Sequence, residues 1–283
     1  MTCGDATSPA FNECRRCNTP LGQPAVTPGV PTHPLRRLGT AAAVAVGVAS
    51  LLYLPSGLFP VFGVQLARAA AERGDRDLLL GAVAAEVLLT LLHLSAVLTA
   101  AVLLIIWTWR ARRNLEAFPG ALPTLNSGWA IAGWLVPFAN FVVPARVIAN
   151  VARDSLWRRA TALVGLWWAA WLTFSVGDRI LLRLENQRYD RLTPWPRSDT
   201  EFATYIRYYQ DSVGPRLIPT VACLVAGASL IVLIRRITAA QEDRIAKTTP
   251  IGTGHGGLAP DAPYAAPRSA PGHPAPPAGS MPT

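Results

Sequence analysis

The stretch LLLGAVAAEVLLTLLHLSAVLTAAVLLIIW, residues 78–107, decides the fold class of this chain. It holds 17 leucine, valine and isoleucine residues, each contributing about −0.3 to −0.6 kcal/mol near the centre of a bilayer. Even the weaker value sums to about −5 kcal/mol, which exceeds the cost of roughly +2.5 to +3.5 kcal/mol for the single acid, Glu86. The stretch is also longer than the ~20 residues that a helix needs to cross the hydrocarbon core. We therefore predict a membrane-spanning helix here.

The rest of the composition agrees with a membrane protein. Of 283 residues, 51% are hydrophobic and 15% are charged, and the mean hydropathy is +0.29. Such values are atypical of a chain whose whole surface faces water. The apolar residues are gathered in long blocks, so we predict further spans in residues 39–63, 160–182 and 217–234.

The first of these blocks carries two local signals. Ala41, Ala45 and Ala49 recur at every fourth position, which predicts a face that another helix can approach closely. Farther along, Pro55 and Pro60 remove backbone donors. We therefore expect the second half of this block to be kinked or frayed.

The apolar region at residues 129–143 differs from the others, because prolines and a polar residue interrupt it. After residue 143, polar and apolar side chains recur with the period of an amphipathic helix that lies at a membrane interface. We predict a re-entrant or interfacial segment. Its polar face holds Arg146, Asn150, Arg153 and Asp154, and its apolar face holds Val147, Ile148 and Val151.

The basic residues predict the orientation. If residues 129–143 do not cross, 16 basic residues fall on one side and 10 on the other, and the richer side is the cytoplasm. A crossing segment would instead have dense arginine clusters on both of its flanks. We predict an all-α polytopic membrane helical bundle with four transmembrane helices plus one re-entrant or interfacial amphipathic segment. It lies in the cell membrane, with both termini cytoplasmic and the net charge of +9 facing lipid headgroups rather than nucleic acid.

The chain is expected to divide into three parts. Residues 1–38 form a cytoplasmic N-terminal segment, residues 39–237 the membrane domain, and residues 238–283 a disordered Pro/Ala/Gly-rich cytoplasmic tail. The tail has few large apolar side chains with which to offset the entropy of ordering. It is a candidate contact site for protein partners.

The N-terminal segment contains the pair Cys14 and Cys17, spaced as in one knuckle of a zinc ribbon. Cys3 is a candidate third ligand, but no cysteine completes a second pair. A cytoplasmic location argues against a structural disulfide. Three readings stay open: a partial zinc knuckle, a stretch with spare thiols, and a redox sensor.

In the second block, Glu86, Thr90 and His93 lie on one helical face. Ionisable residues at membrane depth are costly and are by default candidates for proton or ion handling. The alternative is hydrogen bonding between helices of the bundle.

Two motifs lie on either side of the loop after this block: WTWRARRN at residues 107–114, and W-x-x-P-x-x-N-x-x-x-P from residue 134. Together they resemble the domain-of-unknown-function family 4328 of actinobacterial multi-spanning membrane proteins, over roughly residues 39–236. The resemblance implies a membrane domain with no established activity. The matching positions are Trp107, Arg110, Ala111, Arg113, Asn114, Trp134, Pro137, Asn140 and Pro144.

The second motif has two readings. Pro137 and Pro144 free backbone carbonyls that Asn140 or nearby arginines would satisfy at a structural kink. Alternatively, arginines around Asn140 bind a lipid headgroup or an anionic metabolite. The residues of that site would be Arg110, Arg113, Asn140 and Arg146.

The sequence contains no Ser/His/Asp set, HExxH motif or paired acids, so we expect no enzymatic activity. The leading hypothesis is a membrane scaffold or sensor, with a homo-oligomer as a candidate assembly. The rival hypothesis is a small transporter or channel subunit that uses the Glu86/His93 face.

Overall fold

A computed structural model describes residues 24–156 and 161–247. Within these ranges the chain forms six α-helices, two short 3-10 turns at Leu115–Ala117 and Ala139–Phe141, and no β-strand. The predicted all-α membrane bundle is therefore confirmed. The helices are α1 (Arg36–Arg73), α2 (Asp77–Asn114), α3 (Trp129–Leu135), α4 (Val143–Leu156), α5 (Thr161–Tyr189) and α6 (Asp199–Ala246).

The antiparallel pair α1 and α6 forms the centre of the bundle. Glycines on α1 let the two backbones approach closely. A Cβ added at Gly39 would lie 2.5 Å from Oγ1 of Thr238, and one added at Gly57 would overlap the side chain of Thr220. Small residues at a helix interface are the usual means of close packing in membranes, where no hydrophobic force drives helices together.

The alanine stripe predicted for this contact is only partly right. Ala49 is buried, but Ala41 is exposed. The closest approaches occur at glycines, because only a residue without a Cβ admits the neighbouring side chain at that distance.

Of the kink or fraying expected in the second half of this block, fraying does not occur, since one helix continues through Pro55 and Pro60 to Arg73. Pro60 is buried against the rest of the bundle. Neighbouring helices can stabilise a helix at a proline by supplying donors to the freed carbonyl, as the site below shows for Ser56.

The other two long helices flank the central pair, α2 against α1 and α5 against α6. The chain thus runs along the bundle four times. We call the end where α1 begins and α6 finishes the terminal end, and the end with the α1–α2 turn and the 190–198 connection the turn end. The backbone N–H of Leu35 donates to the side chain of Glu242, which places the start of α1 beside the finish of α6.

Three helices of the described residues are long and apolar enough to cross a membrane: α1, α2 and α6. The apolar blocks predict four spans, the remaining one in residues 160–182. These lie mostly in α5, whose 29 residues exceed the ~20 needed for a crossing. Tryptophans and Asp178 lower its apolar character, which is why it does not belong to this set.

The last helix is longer at both ends than its apolar block. It begins at Asp199, after a capping box. The Ser198 side chain accepts from the backbone N–H of Glu201, and the Glu201 carboxylate accepts from the backbone N–H of Ser198. Tyr205, Tyr208 and Tyr209, which precede the apolar block at residues 217–234, therefore lie on α6. At the other end the helix continues through residues 238–246, which the sequence analysis assigned to the tail.

The segment from α3 to α4 forms a short helical hairpin that stays at the terminal end. Arg112 of α2 donates to the backbone oxygen of Leu125, and Arg153 of α4 donates to that of Leu122. Both arginines thus bind the loop at residues 122–125. The apolar region that follows, residues 129–143, therefore does not cross the bundle.

The amphipathic pattern of α4 is confirmed, since Val147, Ile148 and Val151 are all buried. Their environment differs from the expected lipid interface, because they belong to the hydrophobic core with residues of α2, α5 and α6. The exposed apolar part of the hairpin is its tip, where Leu135 is 70% and Phe138 86% exposed.

Candidate functional site

Arg216 of α6 is the hub of a charged cluster inside the bundle. Its Nη2 lies 2.7 Å from Oε1 of Glu86 on α2 and 2.6 Å from Oε2 of Glu185 on α5. Its Nε donates to both carboxylate oxygens of Glu185 at 2.8 and 3.0 Å. The side chains of Glu185 and Arg216 are only 6% and 16% exposed. One guanidinium thus connects three helices.

The same guanidinium also reaches α1, where Nη1 donates to the backbone oxygen of Ser56 at 2.9 Å. In a regular helix this oxygen would accept from the residue four positions later, but that residue is Pro60, which has no N–H. Arg216 therefore replaces the missing backbone donor. This explains how α1 continues through Pro60 inside the bundle, where an unsatisfied carbonyl is costly.

A second polar layer lies two helical turns from the first. The hydroxyl of Tyr53 donates to Oδ1 of Asp178 on α5, and the Tyr53 ring packs against His93 of α2 and Phe174 of α5, with centroid distances of 5.1 and 4.9 Å. His93 places Nδ1 3.1 Å from the backbone oxygen of Ala49. Because that oxygen can only accept, Nδ1 carries the hydrogen.

The two layers place Glu86 and His93 on one side of α2, facing the central pair. Glu86 is paired with Arg216, and His93 is bonded to α1. The layers contain three carboxylates, with Asp178 as the third. Among the described residues Arg216 is the one cation that forms an ion pair with any of them.

A third polar cluster lies at the terminal end and is built around two fully buried side chains. Asn114 accepts from the backbone N–H of His33 at 2.7 Å and donates to the His33 oxygen at 3.0 Å and to Oε1 of Gln241 at 2.9 Å. Gln241 in turn donates to the Ala111 oxygen and to Oγ of Ser155. Asn114 and Gln241 are both 0% exposed. We call this set the terminal knot.

Side chains beside the terminal knot hold the segment that precedes α1. Glu242 accepts from the backbone N–H groups of Leu35 and Arg36, so a residue of α6 caps the beginning of α1. Arg244 donates to the Ala25 oxygen at 2.9 Å. Residues 25–36 are thereby joined to the last turns of α6.

The first motif of the family resemblance, residues 107–114, lies beside the terminal knot. Trp107 and Ala111 are 1% and 0% exposed, and Trp107 donates to Oγ1 of Thr238. Arg113 lies near the surface and pairs with Glu116 at 3.5 Å. The motif therefore builds the packing between α2 and α6.

The second motif occupies the hairpin. Pro144 is buried and Pro137 lies in the exposed tip. The indole nitrogen of Trp134 and Oδ1 of Asn140 are buried without a hydrogen-bond partner among the described atoms. The structure places no hydrogen bond between Asn140 and a carbonyl freed by either proline.

The proposed anion site is not assembled by direct contacts. Among the described residues no hydrogen bond or ion pair joins Arg110, Arg113, Asn140 and Arg146 to one another. Arg110 is half-buried and Arg146 is exposed.

The turn end contains a cavity of about 370 Å³. The Arg76 guanidinium stacks over the Trp195 ring at 3.9 Å from its centroid. The Tyr205 hydroxyl donates to the Thr193 oxygen, which fixes the connection before α6. The lining includes Leu79, Leu80, Tyr189, Asp190, Leu192 and Pro194.

The zinc prediction at Cys3, Cys14 and Cys17 lies outside the described residues. Within residues 24–156 and 161–247, no group of three histidine, cysteine or acidic side chains has the geometry of a metal site.

Sequence reasoning missed Arg216, Glu185, Asp178 and Tyr53. A usable signal was present, because Arg216 immediately precedes an apolar block and Pro60 of α1 leaves the Ser56 carbonyl without its helical donor. The pairing of these two features across 160 residues is a tertiary fact that no local pattern contains.

The terminal knot leads to a stability prediction. Replacing Asn114 with alanine removes the hydrogen-bond partner of the Gln241 side chain and of the His33 backbone. Because these groups would be left unsatisfied, we expect the free energy of unfolding to fall by about 1–3 kcal/mol. Denaturant unfolding of the protein in detergent measures this. Asn186→Ala, at an exposed position on α5, is the matched control and should change stability by less than about 0.5 kcal/mol. Equal effects would contradict the role given to the knot.

Comparisons with known proteins are consistent with this architecture. A family model described as Domain of unknown function (DUF4328) matches residues 70–239. The match begins at the end of α1, so it covers less of the chain than the resemblance at residues 39–236. It includes the two motifs, Arg216 and both of its acidic partners. Neither the curated proteins nor the solved structures contain a significant match.

Proposed function

The chain belongs to the DUF4328 family, and from its architecture we propose that it is a non-enzymatic membrane scaffold or sensor, multi-pass in the cell membrane. The observation that carries this proposal is the terminal knot. With the neighbouring Arg244–Ala25 bond, it joins residues 25–36 to the ends of α2 and α6. A polar cluster that fixes the beginning of α1 beside the end of α6 suits a protein that presents its termini to partners.

The orientation follows from the arginines. The terminal end carries Arg110, Arg112 and Arg113 on α2 and Arg235 and Arg236 on α6, so the positive-inside rule assigns it to the cytoplasm. The cavity near Trp195 then faces the opposite side, where it would serve as the input site of a sensor.

Reporter fusions test this orientation. Alkaline phosphatase joined after Asp75 or after Pro196 should be active, because both positions lie at the turn end. Alkaline phosphatase joined after Gly120 or at the C-terminus should be inactive. Green fluorescent protein joined at the same two positions should be fluorescent. The reverse pattern would refute the cytoplasmic assignment.

The scaffold role is tested by cross-linking in intact membranes. The full chain is compared with one lacking residues 250–283. We expect proteins cross-linked to the full chain to be lost from the shortened chain while its membrane insertion is unchanged. Identical cross-linked sets would contradict a scaffold that works through this tail.

A second candidate is a small transporter or channel subunit, favoured by the polar layers around Glu86 and His93. Three carboxylates and an imidazole at membrane depth are the groups from which ion paths are built. Flux of protons or alkali cations into liposomes containing the wild type, His93→Leu or no protein tests it. Flux in the wild type alone supports transport, and equal flux in all three excludes it.

A further inference from the structure

The cavity at the turn end lies beyond the segments that the bilayer needs to cover. Its lining includes Tyr205, which precedes the apolar block of α6 at Leu217 by 12 residues, or about 18 Å along the helix. It also includes Leu79, which lies 28 residues, or about 42 Å, along α2 from Trp107, whereas the hydrocarbon core is ~30 Å thick. Trp195 on the same lining is 54% exposed. A ligand therefore reaches this cavity from water.

Arg76 lines the cavity with a guanidinium whose donors no protein acceptor uses. Its face stacks on the Trp195 ring, which leaves the N–H groups at its edge available. The Asp77 carboxylate lies 3.8 Å from Nε, beyond hydrogen-bond distance. No other ion pair or hydrogen bond joins this side chain to a residue that the structure describes. Arg76 is therefore positioned to bind an anionic group that enters the cavity.

Asp190 brings the opposite charge to the same lining. Its backbone N–H donates to the Asn186 oxygen after the last turn of α5, and its carboxylate is exposed. Within residues 24–156 and 161–247 that carboxylate forms no ion pair, with Arg76 or with any other cation. A simple anion or a simple cation in the cavity would meet one attraction and one repulsion. A ligand that carries both charges would meet two attractions.

The rest of the lining is apolar or aromatic. It includes Leu79, Leu192 and the rings of Tyr189 and Tyr205, which meet edge to face with centroids 6.3 Å apart. The Tyr205 hydroxyl is already bonded to the Thr193 oxygen, so it fixes the wall. The volume of about 370 Å³ is near the lower end of the range for small-molecule sites, roughly 300–1,000 Å³. These features favour a small ligand with an apolar body.

We propose that the cavity binds a free amino acid with an aromatic or aliphatic side chain. The ligand carboxylate accepts hydrogen bonds from Arg76, the ligand ammonium donates to Asp190, and the side chain packs against Tyr189 and Leu192. This assignment deepens the sensor proposal, because it names the chemical class of the input. It rests on that proposal for its role in signalling, whereas binding itself does not depend on it.

Isothermal titration calorimetry on the full chain in lipid nanodiscs tests the proposal with matched probes. These are L-phenylalanine, phenylpropionate, which lacks the ammonium group, and phenylethylamine, which lacks the carboxylate. The wild type should bind L-phenylalanine at least about tenfold more tightly than either analogue, because each analogue leaves one charge of the lining unmatched.

Two variants test the assigned contacts. Arg76→Gln should weaken the binding of L-phenylalanine by about tenfold or more, since it removes the partner of the carboxylate. Asp190→Asn should also weaken it, but should strengthen the binding of phenylpropionate, because a repulsion disappears. Arg73→Gln is the matched control, since Arg73 is exposed at the end of α1 and does not line the cavity. It should bind like the wild type.

Arg76 and Asp190 are both exposed, so their variants should keep the wild-type circular dichroism spectrum. Three outcomes would overturn the site. The first is a wild type that binds neither L-phenylalanine nor L-leucine. The second is equal binding of L-phenylalanine by the wild type and by both folded variants. The third is a wild type that prefers phenylpropionate. Binding that leaves the set of cross-linked proteins unchanged would support the site and contradict only the sensor role.

Discussion

Replacing Arg216 with leucine should lower the free energy of unfolding by about 3–5 kcal/mol, the usual cost of removing one partner from a buried ion pair. Glu86 and Glu185 would lose the guanidinium that they share. The Ser56 carbonyl, already deprived of a donor by Pro60, would lose its substitute. Unfolding in mixed micelles, followed by tryptophan fluorescence, measures the loss.

The control for this variant lies on the same helix. Arg207 is exposed on α6 and its replacement with leucine should change stability by less than about 0.5 kcal/mol. A further variant that combines Arg216→Leu with Glu86→Gln and Glu185→Gln removes all three charges. It should recover much of the lost stability, since neutral replacements of buried ion pairs are often tolerated. No recovery would show that uncompensated charge is not the cause.

The second large effect is expected at Gly63 on α1. A Cβ placed there would lie 2.6 Å from Cε1 and 2.7 Å from Cγ of the Tyr209 ring, far inside van der Waals contact. Gly63→Leu should therefore force α1 and α6 apart, with a cost of at least about 1–3 kcal/mol. The same unfolding assay measures this.

Gly81 on α2 provides the contrast, because a Cβ added there meets nothing within 4 Å. Gly81→Ala should be neutral or should raise stability by up to about 1 kcal/mol, since alanine has the higher helix propensity. Gly63→Ala should be destabilising despite the same gain in propensity. If both alanine variants were stabilising, the close packing at Tyr209 would be refuted.

Much of the architecture is predictable because it depends on local composition. The run of leucines, valines and isoleucines predicts α2 without knowledge of its neighbours. The spacing of Val147, Ile148 and Val151 likewise predicts the buried face of α4. Boundaries were harder. The capping box at Ser198 and Glu201 is present in the sequence, but hydropathy alone marks only residues 217–234 and so misses the first turns of α6.

The candidate site was only half predictable. Glu86 and His93 could be found because a polar residue in a long apolar run is conspicuous. Arg216 and Glu185 give weaker signals, since each stands at the edge of an apolar block, where charges are ordinary. The contact between Gln241 and Asn114 was beyond reach, as it joins residues 127 positions apart and its worth depends on complete burial.

The length of α6 has one last consequence. Its 48 residues extend over about 72 Å, more than twice the ~30 Å of the hydrocarbon core. The helix therefore projects far into the aqueous phase, from Tyr205 beside the cavity to Glu242 beneath the start of α1. A sliding or twisting displacement at one end of this helix would have to pass Pro215 and Pro219, where the backbone hydrogen-bond ladder is interrupted, before it reached the other end.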